Sequence, residues 1–236
     1  MTRADEEELF SRWEGAFASK VFHPHLTDGI CNVRYEEWLR RFAVSLAWRT
    51  GVVTKDAELS EPLTAKLNSA LETWRKYLLD LAPSSGPYSH HLFYLPHVRE
   101  IPRHIPVPDH LNWYLMRTVD ATLAYSHKAV HVFTKLPGFA FWSAIHPPEA
   151  RGWIHTRILK KGECGSPIQR VDDKYFGDFL LERARYTVGT LQTMSARQHE
   201  LIRSQYLKHA DLKGVDPSVI STLSADRALG RRRRPA

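Results

Sequence analysis

The sequence predicts an α+β fold: N-terminal antiparallel helices, a small antiparallel sheet in the middle, and C-terminal helices. Three observations carry this. Apolar residues recur at helical spacing over the first eighty positions, alternating runs flank a tight turn near residue 137, and the helical period returns at Tyr175.

Leu9, Phe10, Trp13, Phe17 and Val21 fall on one helix face. His23-Pro24-His25 and Asp28-Gly29 predict the end of that helix and a turn. A second helix is expected over about 34–49, with Tyr35, Trp38, Leu39, Phe42 and Leu46 inward and Gly51 as its C-cap. A third opens at Ser60-Glu61-Pro62, a capping residue followed by an early proline, and its stripe is Leu63, Leu67, Leu71, Trp74, Leu78 and Leu81. Prolines at 83, 87, 96, 102, 106 and 108 leave only short regular structure in the next stretch. Asp109 then caps a short helix with Leu111, Leu115 and Val119 inward. Val130, Val132 and Thr134 alternate, Pro137-Gly138 turns, and 139–145 returns as a second strand. A third strand is expected over 154–159 and a fourth near Ile168. Phe176, Phe179, Leu180, Arg183 and Leu191 restore the helical period, and Ser195 with Gln198 forms a capping box for a last helix. The chain divides into a helical bundle (1–82), a Pro/His-rich irregular connection (83–110), and a region at 111–228 that packs with the first part as one domain. A basic tail (229–236) closes it.

Composition narrows the classes. With 43% hydrophobic and 25% charged residues the 236-residue chain is of ordinary globular type. No leader-like or membrane-spanning apolar run occurs, so no membrane partner is expected and the setting is read as cytoplasmic. Two cysteines, Cys31 and Cys164, build neither a disulfide framework nor a four-thiolate zinc site. The net charge is +7, but Arg231, Arg232, Arg233 and Arg234 supply four of those charges, leaving 29 basic against 26 acidic residues elsewhere. Such a tail either holds phosphate backbones weakly and salt-sensitively or is a solvated end.

Five of thirteen histidines lie between residues 90 and 110. His90, His91, His97 and His104 are weak metal candidates, because neither helical ligand spacing nor a His-Glu-x-x-His pattern accompanies them. A histidine-rich loop is the plainer reading, and no cofactor is expected. No Gly-x-Ser-x-Gly elbow, P-loop or Gly-x-Gly-x-x-Gly is present, and Cys164 beside Glu163 is a poor nucleophile. Basic residues do sit beside aromatic ones, in Trp38-Leu39-Arg40-Arg41, Trp48-Arg49, Trp74-Arg75-Lys76 and Trp153 to Arg157. Aromatic platforms next to cations are what single-stranded nucleic acid uses. Trp38 and Trp74 also lie on apolar stripes, which favours them as core anchors. Arg40, Arg41, Arg75 and the four tail arginines are the candidate phosphate contacts.

Phe10-Ser11-Arg12-Trp13-Glu14, Tyr35-Glu36-Glu37-Trp38-Leu39, Leu71 to Leu79, Asn112 to Asp120, Val132 to Phe139 and Phe176-Gly177-Asp178-Phe179 together resemble a family of uncharacterised bacterial proteins. In that family a zinc-binding, HNH-like module precedes the Phe-Ser-x-Trp-Glu helix, and a Cys-x-x-Cys knuckle ends just ahead of it. Here Asp5-Glu6-Glu7-Glu8 holds that place, so none of the module's metal or catalytic residues carries over. The resemblance covers roughly 9–230 and implies a non-catalytic remnant or accessory domain of an HNH-type nuclease, binding nucleic acid or a protein partner weakly. Trp13 and Phe17 are where apolar surface left uncovered by the module would show. Two alternatives stand beside this: a metal-dependent nuclease or other hydrolase with an unrecognised site, built around His97, His104 or Asp120, and a gene remnant.

Overall fold

A proline inside a helical stretch removes one backbone donor and crowds the preceding turn, so the helix must break or adjust. In the computed structural model it adjusts. The structure describes residues 3–29, 32–55, 57–102, 104–148, 152–165, 169–171, 174–192, 197, 221–222, 224–226 and 228–229. Helix α1 (Arg3–Phe17) widens into a π-helical turn (Ala18–Phe22) and continues as α2 (His23–Asp28), with Pro24 directly after the π turn that accommodates it. The helix therefore does not end at His23-Pro24. It ends at Gly29, whose left-handed φ of 65° closes α2.

The next expectation also shifts. Tyr35 belongs to strand β1 (Asn32–Tyr35), and helix α3 runs later, over Glu37–Val53. Gly51 is not its C-cap but a buried interior residue. A Cβ built there would lie 2.7 Å from Leu71 Cδ2, so the missing side chain is what lets α3 approach helix α4 (Glu61–Leu78). Gly51→Val should consequently cost about 1–3 kcal/mol by overpacking, read as a lower urea midpoint at unchanged slope. Helix α4 begins as its sequence predicts, with extended Ser60 accepting from Leu63 N–H and Thr64 N–H and with Pro62 in the first turn. Its stripe buries Leu63, Leu67, Leu71, Trp74, Tyr77 and Leu78; Leu81 lies beyond the helix and is exposed.

The principal sheet is antiparallel, in the order β2 (Ser89–Tyr94), β5 (Phe139–His146), β4 (Ala129–Leu136), β3 (Asp120–Ser126). Strand β2 lies inside the stretch expected to be irregular, and β3 directly follows helix α5 (Leu111–Arg117). Val119 falls past the end of α5 and is exposed rather than inward. Alternation sends Val130, Val132, Phe139, Phe141, Ile145, Leu92 and Tyr94 to the helix side, in one core with Phe17, Phe42, Trp74 and Leu78. Phe17 stacks on Phe42 at 4.5 Å and meets Phe139 and Phe141 edge-on. Trp13 and Phe17 are buried, at 5% and 3% exposure, so neither marks an uncovered apolar surface. A buried hydroxyl pair, Thr50 Oγ1 and Thr134 Oγ1 at 2.9 Å, ties α3 to β4.

The outer edge of β2 is not bare. Ile158 N–H donates to His90 O and Leu92 N–H donates to Thr156 O. The strand expected over 154–159 is thus replaced by a two-residue strand, β6 (Trp153–Ile154), and a single bridge between His91 and Arg157. Strand β7 (Gly162–Gly165) pairs with β1, and β8 (Arg170–Val171) with β6. Ile168, Ser195, Gln198, Cys31 and the arginine tail lie outside the described residues. Helix α6 (Lys174–Gln192) follows, with Phe176 and Ala184 buried. The chain forms two compact units, Met1–Leu95 with Val119–Asp173, and Pro96–Thr118 with Lys174–Ala236. In the second, Asp226 accepts from the N–H groups of Asn112 and Trp113 at the start of α5, and Asn112 is paired with Val98 through both ends of its amide.

Candidate functional site

Of the cations that the sequence nominates, those described are already engaged. Arg75 pairs with Glu72 on the same helix at 2.9 Å. Arg40 Nη2 donates to Ser85 Oγ at 2.8 Å and lies over the Tyr77 ring. Arg41 pairs with Asp80 and sits over the rings of both Trp13 (5.6 Å) and Tyr77 (5.1 Å). Burial works against the Arg41 charge, but the Asp80 hydrogen bond and the charges of Asp80, Tyr77 and Glu37 outweigh it, raising its pKa. Tyr77 in turn donates to Glu37 Oε1 at 2.7 Å, and burial with that hydrogen bond holds its hydroxyl well above the ordinary range. Arg41 is a structural cation at a junction of α1, α3 and α4. Arg231 to Arg234 lie outside the described residues.

The nominated histidines do not gather either. His90 and His91 are neighbours on β2 and point to opposite faces. His90 shares a 2.7 Å hydrogen bond with Ser143 and packs against Trp74; His91 bonds Thr156 at 2.8 Å and Ser89 at 3.0 Å. Burial, followed by nearby positive charge, pushes both pKa values down to about 3. His97 shares a hydrogen bond with Thr222 at 3.1 Å, and His104 is exposed. Among the described residues no group of three or more His, Cys, Asp or Glu side chains is placed to hold a metal ion. Cys164 is buried beside the Tyr94 hydroxyl at 3.6 Å, and burial raises its thiol pKa, which disfavours the thiolate.

What the structure does assemble is a groove along α1 and the start of α3. One concavity of about 870 Å³ is lined by Arg12, Trp13, Lys20, Glu37, Trp38 and Arg41, among others. A second, of about 690 Å³, is lined by Lys20, Arg34, Tyr35, Trp38, Lys161 and Glu163, among others. Lys20, Glu36 and Trp38 belong to both, so the two adjoin at the Trp38 ring. Trp38 is only partly buried, unlike Trp74, which is fully enclosed. The Lys20 ammonium lies 5.4 Å from the Trp38 ring centroid. Glu37 and Asp80 are committed to Tyr77 and Arg41, and Arg34 pairs with Glu163 at 2.7 Å across the β1–β7 ribbon. Arg12, Lys20 and Lys161 are exposed and form no ion pair among the described residues, against one similarly uncommitted carboxylate, Glu36.

Arg12, Lys20, Lys161 and Arg34 were not among the residues nominated from sequence. Part of the signal was available: Arg12, Ala16 and Lys20 stand four apart, and so share a helix face. Lys161 carried none, because the β1–β7 ribbon joins segments about 130 positions apart in the chain.

Elsewhere, Lys135 on β4 is buried opposite Asp120 of β3, on the sheet face away from α3. Burial pushes its pKa down to about 7, even though Asp120 acts to raise it. No helix among the described residues is long and apolar enough to cross a membrane. No protein-family profile matches this chain, and no curated protein or solved structure is significantly similar to it.

Proposed function

We propose that the chain is an accessory nucleic-acid-binding domain of HNH-nuclease descent, working in the cytoplasm and performing no bond chemistry in its groove. The observation that supports the binding role is the placement of Arg12, Lys20 and Lys161 along two adjoining concavities that share one partly exposed tryptophan. Cations that form no ion pair among the described residues can neutralise phosphates, and an aromatic face beside them accepts a base. Arg34, Arg40, Arg41 and Arg75 are spent on internal partners, which makes the affinity modest. The nuclease descent rests on the sequence resemblance alone.

Fluorescence anisotropy of a labelled short oligonucleotide at low salt tests the role. Three phosphate contacts predict log K falling against log salt with a slope of about −2 for a single strand. Lys20→Ala with Lys161→Ala should flatten that slope and weaken binding about tenfold or more at low salt, with at most a small fall in urea midpoint, because both side chains are exposed and only the Lys20 contact with the Trp38 ring is lost. Salt-independent binding, or none, contradicts the reading.

A further inference from the structure

The groove's charge pattern bears on which form of nucleic acid it takes, and the inference rests on the nucleic-acid reading above. The three groove cations that form no ion pair among the described residues do not form a continuous stripe. Arg12 lines the first concavity, Lys161 the second, and Lys20 and Trp38 stand where the two meet. Carboxylates are interspersed throughout: Glu36 at the shared wall, Asp80 on one side and Glu163 on the other. A duplex presents about one negative charge per 1.7 Å of its axis and keeps its bases stacked inside. Such a rod cannot steer its phosphates around Glu36, and it offers Trp38 no base face.

A single strand can do both. Its backbone turns freely between nucleotides, so phosphates can be placed at Arg12 and Lys161 while a base is turned inward. Lys20 over the ring of Trp38 is the second observation. An electron-rich ring face is being covered by the flexible end of an exposed lysine, a contact worth only about 0.5–1 kcal/mol at an exposed site. A stacked base competes with it readily. We propose that the groove binds single-stranded nucleic acid with one base stacked on Trp38 in place of Lys20. The ammonium thereby released swings to a phosphate beside that base.

The test titrates wild-type protein with three ligands of equal length: a single-stranded oligodeoxythymidylate, the same strand made wholly abasic, and a duplex. The single strand should bind roughly tenfold to a hundredfold tighter than the abasic strand, the difference one stacked base supplies. Trp38→Phe should retain most of that difference and Trp38→Ala should abolish it, leaving the weak salt-dependent binding that both strands share. Equal binding of normal and abasic strands, or a duplex that binds as well as the single strand, overturns the stacking proposal and leaves nucleic-acid binding intact. Failure of all three to bind overturns both. Should Trp38→Ala fold poorly, the abasic comparison on the unaltered protein and Trp38→Phe still decide the matter.

Discussion

Lowering the pH from neutral to about 4.5 is expected to remove several kcal/mol of the chain's stability. His90 and His91 keep folded-state pKa values of about 3, and His131 one of about 4, all chiefly because burial disfavours the imidazolium. An unfolded histidine titrates near 6.5. Above that pH both states are neutral at these positions and their contribution to stability is fully present. Below it the unfolded chain takes up protons that the folded chain refuses. Each group then removes up to about 1.4 kcal/mol of stability per pH unit, until its own folded pKa is reached. Three groups acting together would remove up to about 8 kcal/mol within about two pH units, comparable with a typical total stability of about 5–15 kcal/mol. Urea midpoints at several pH values check this; an unchanged midpoint between neutrality and about pH 5 would show that these imidazoles are not buried as described. His91→Gln should reduce the steepness of the loss, since it removes one of the three.

Replacing Trp74 with alanine is expected to cost about 3–5 kcal/mol, the largest effect of any single core substitution named here. Trp74 is fully buried between α4 and the sheet, edge-on to Tyr88 and against His90. Among the described residues its indole N–H has no hydrogen-bond partner, and neither has Nε2 of His90. Trp74→Phe should therefore cost markedly less than its lost volume suggests, because it also removes a buried donor that nothing satisfies. Thermal or urea unfolding of the two variants checks both costs. A Trp74→Phe loss as large as that of Trp74→Ala would contradict this account.

Much of the helical part was legible in the sequence, because burial on one face leaves a spacing that can be read directly. Ser60-Glu61-Pro62 fixes the start of α4 to within a residue, and Pro137-Gly138 locates the β4–β5 turn. Two errors have a common cause. Pro24 looks like a terminator, but the π turn absorbs it; Gly51 looks like a cap, but Leu71 needs its space. Both depend on tertiary neighbours that spacing does not name. Strand β2 was hidden because it is buried on both faces and carries adjacent histidines, so it neither alternates nor reads as apolar. Strand β3 alternates, but Asp120, Thr122, Ala124 and Ser126 on one face disguise it as loop.

The site was legible only in part. Trp38 sits on the same stripe as Leu39 and Phe42, and one step around a helix is enough to turn a core residue into a groove wall. Arg40, Arg41 and Arg75 were nominated because charge stands beside tryptophan in the sequence. In the fold, each finds an internal partner. The groove cations that form no ion pair among the described residues are Arg12, Lys20 and Lys161, from two distant segments.

Photocrosslinking an iodouracil-bearing single strand to the 236-residue chain, followed by peptide mapping, addresses the central claim most directly. The groove account predicts that the dominant adduct lies on the peptide carrying Trp38 and that competing abasic strand removes it poorly. An adduct confined to the arginine-rich end at 231–234, with the Trp38 peptide unmodified, would contradict it.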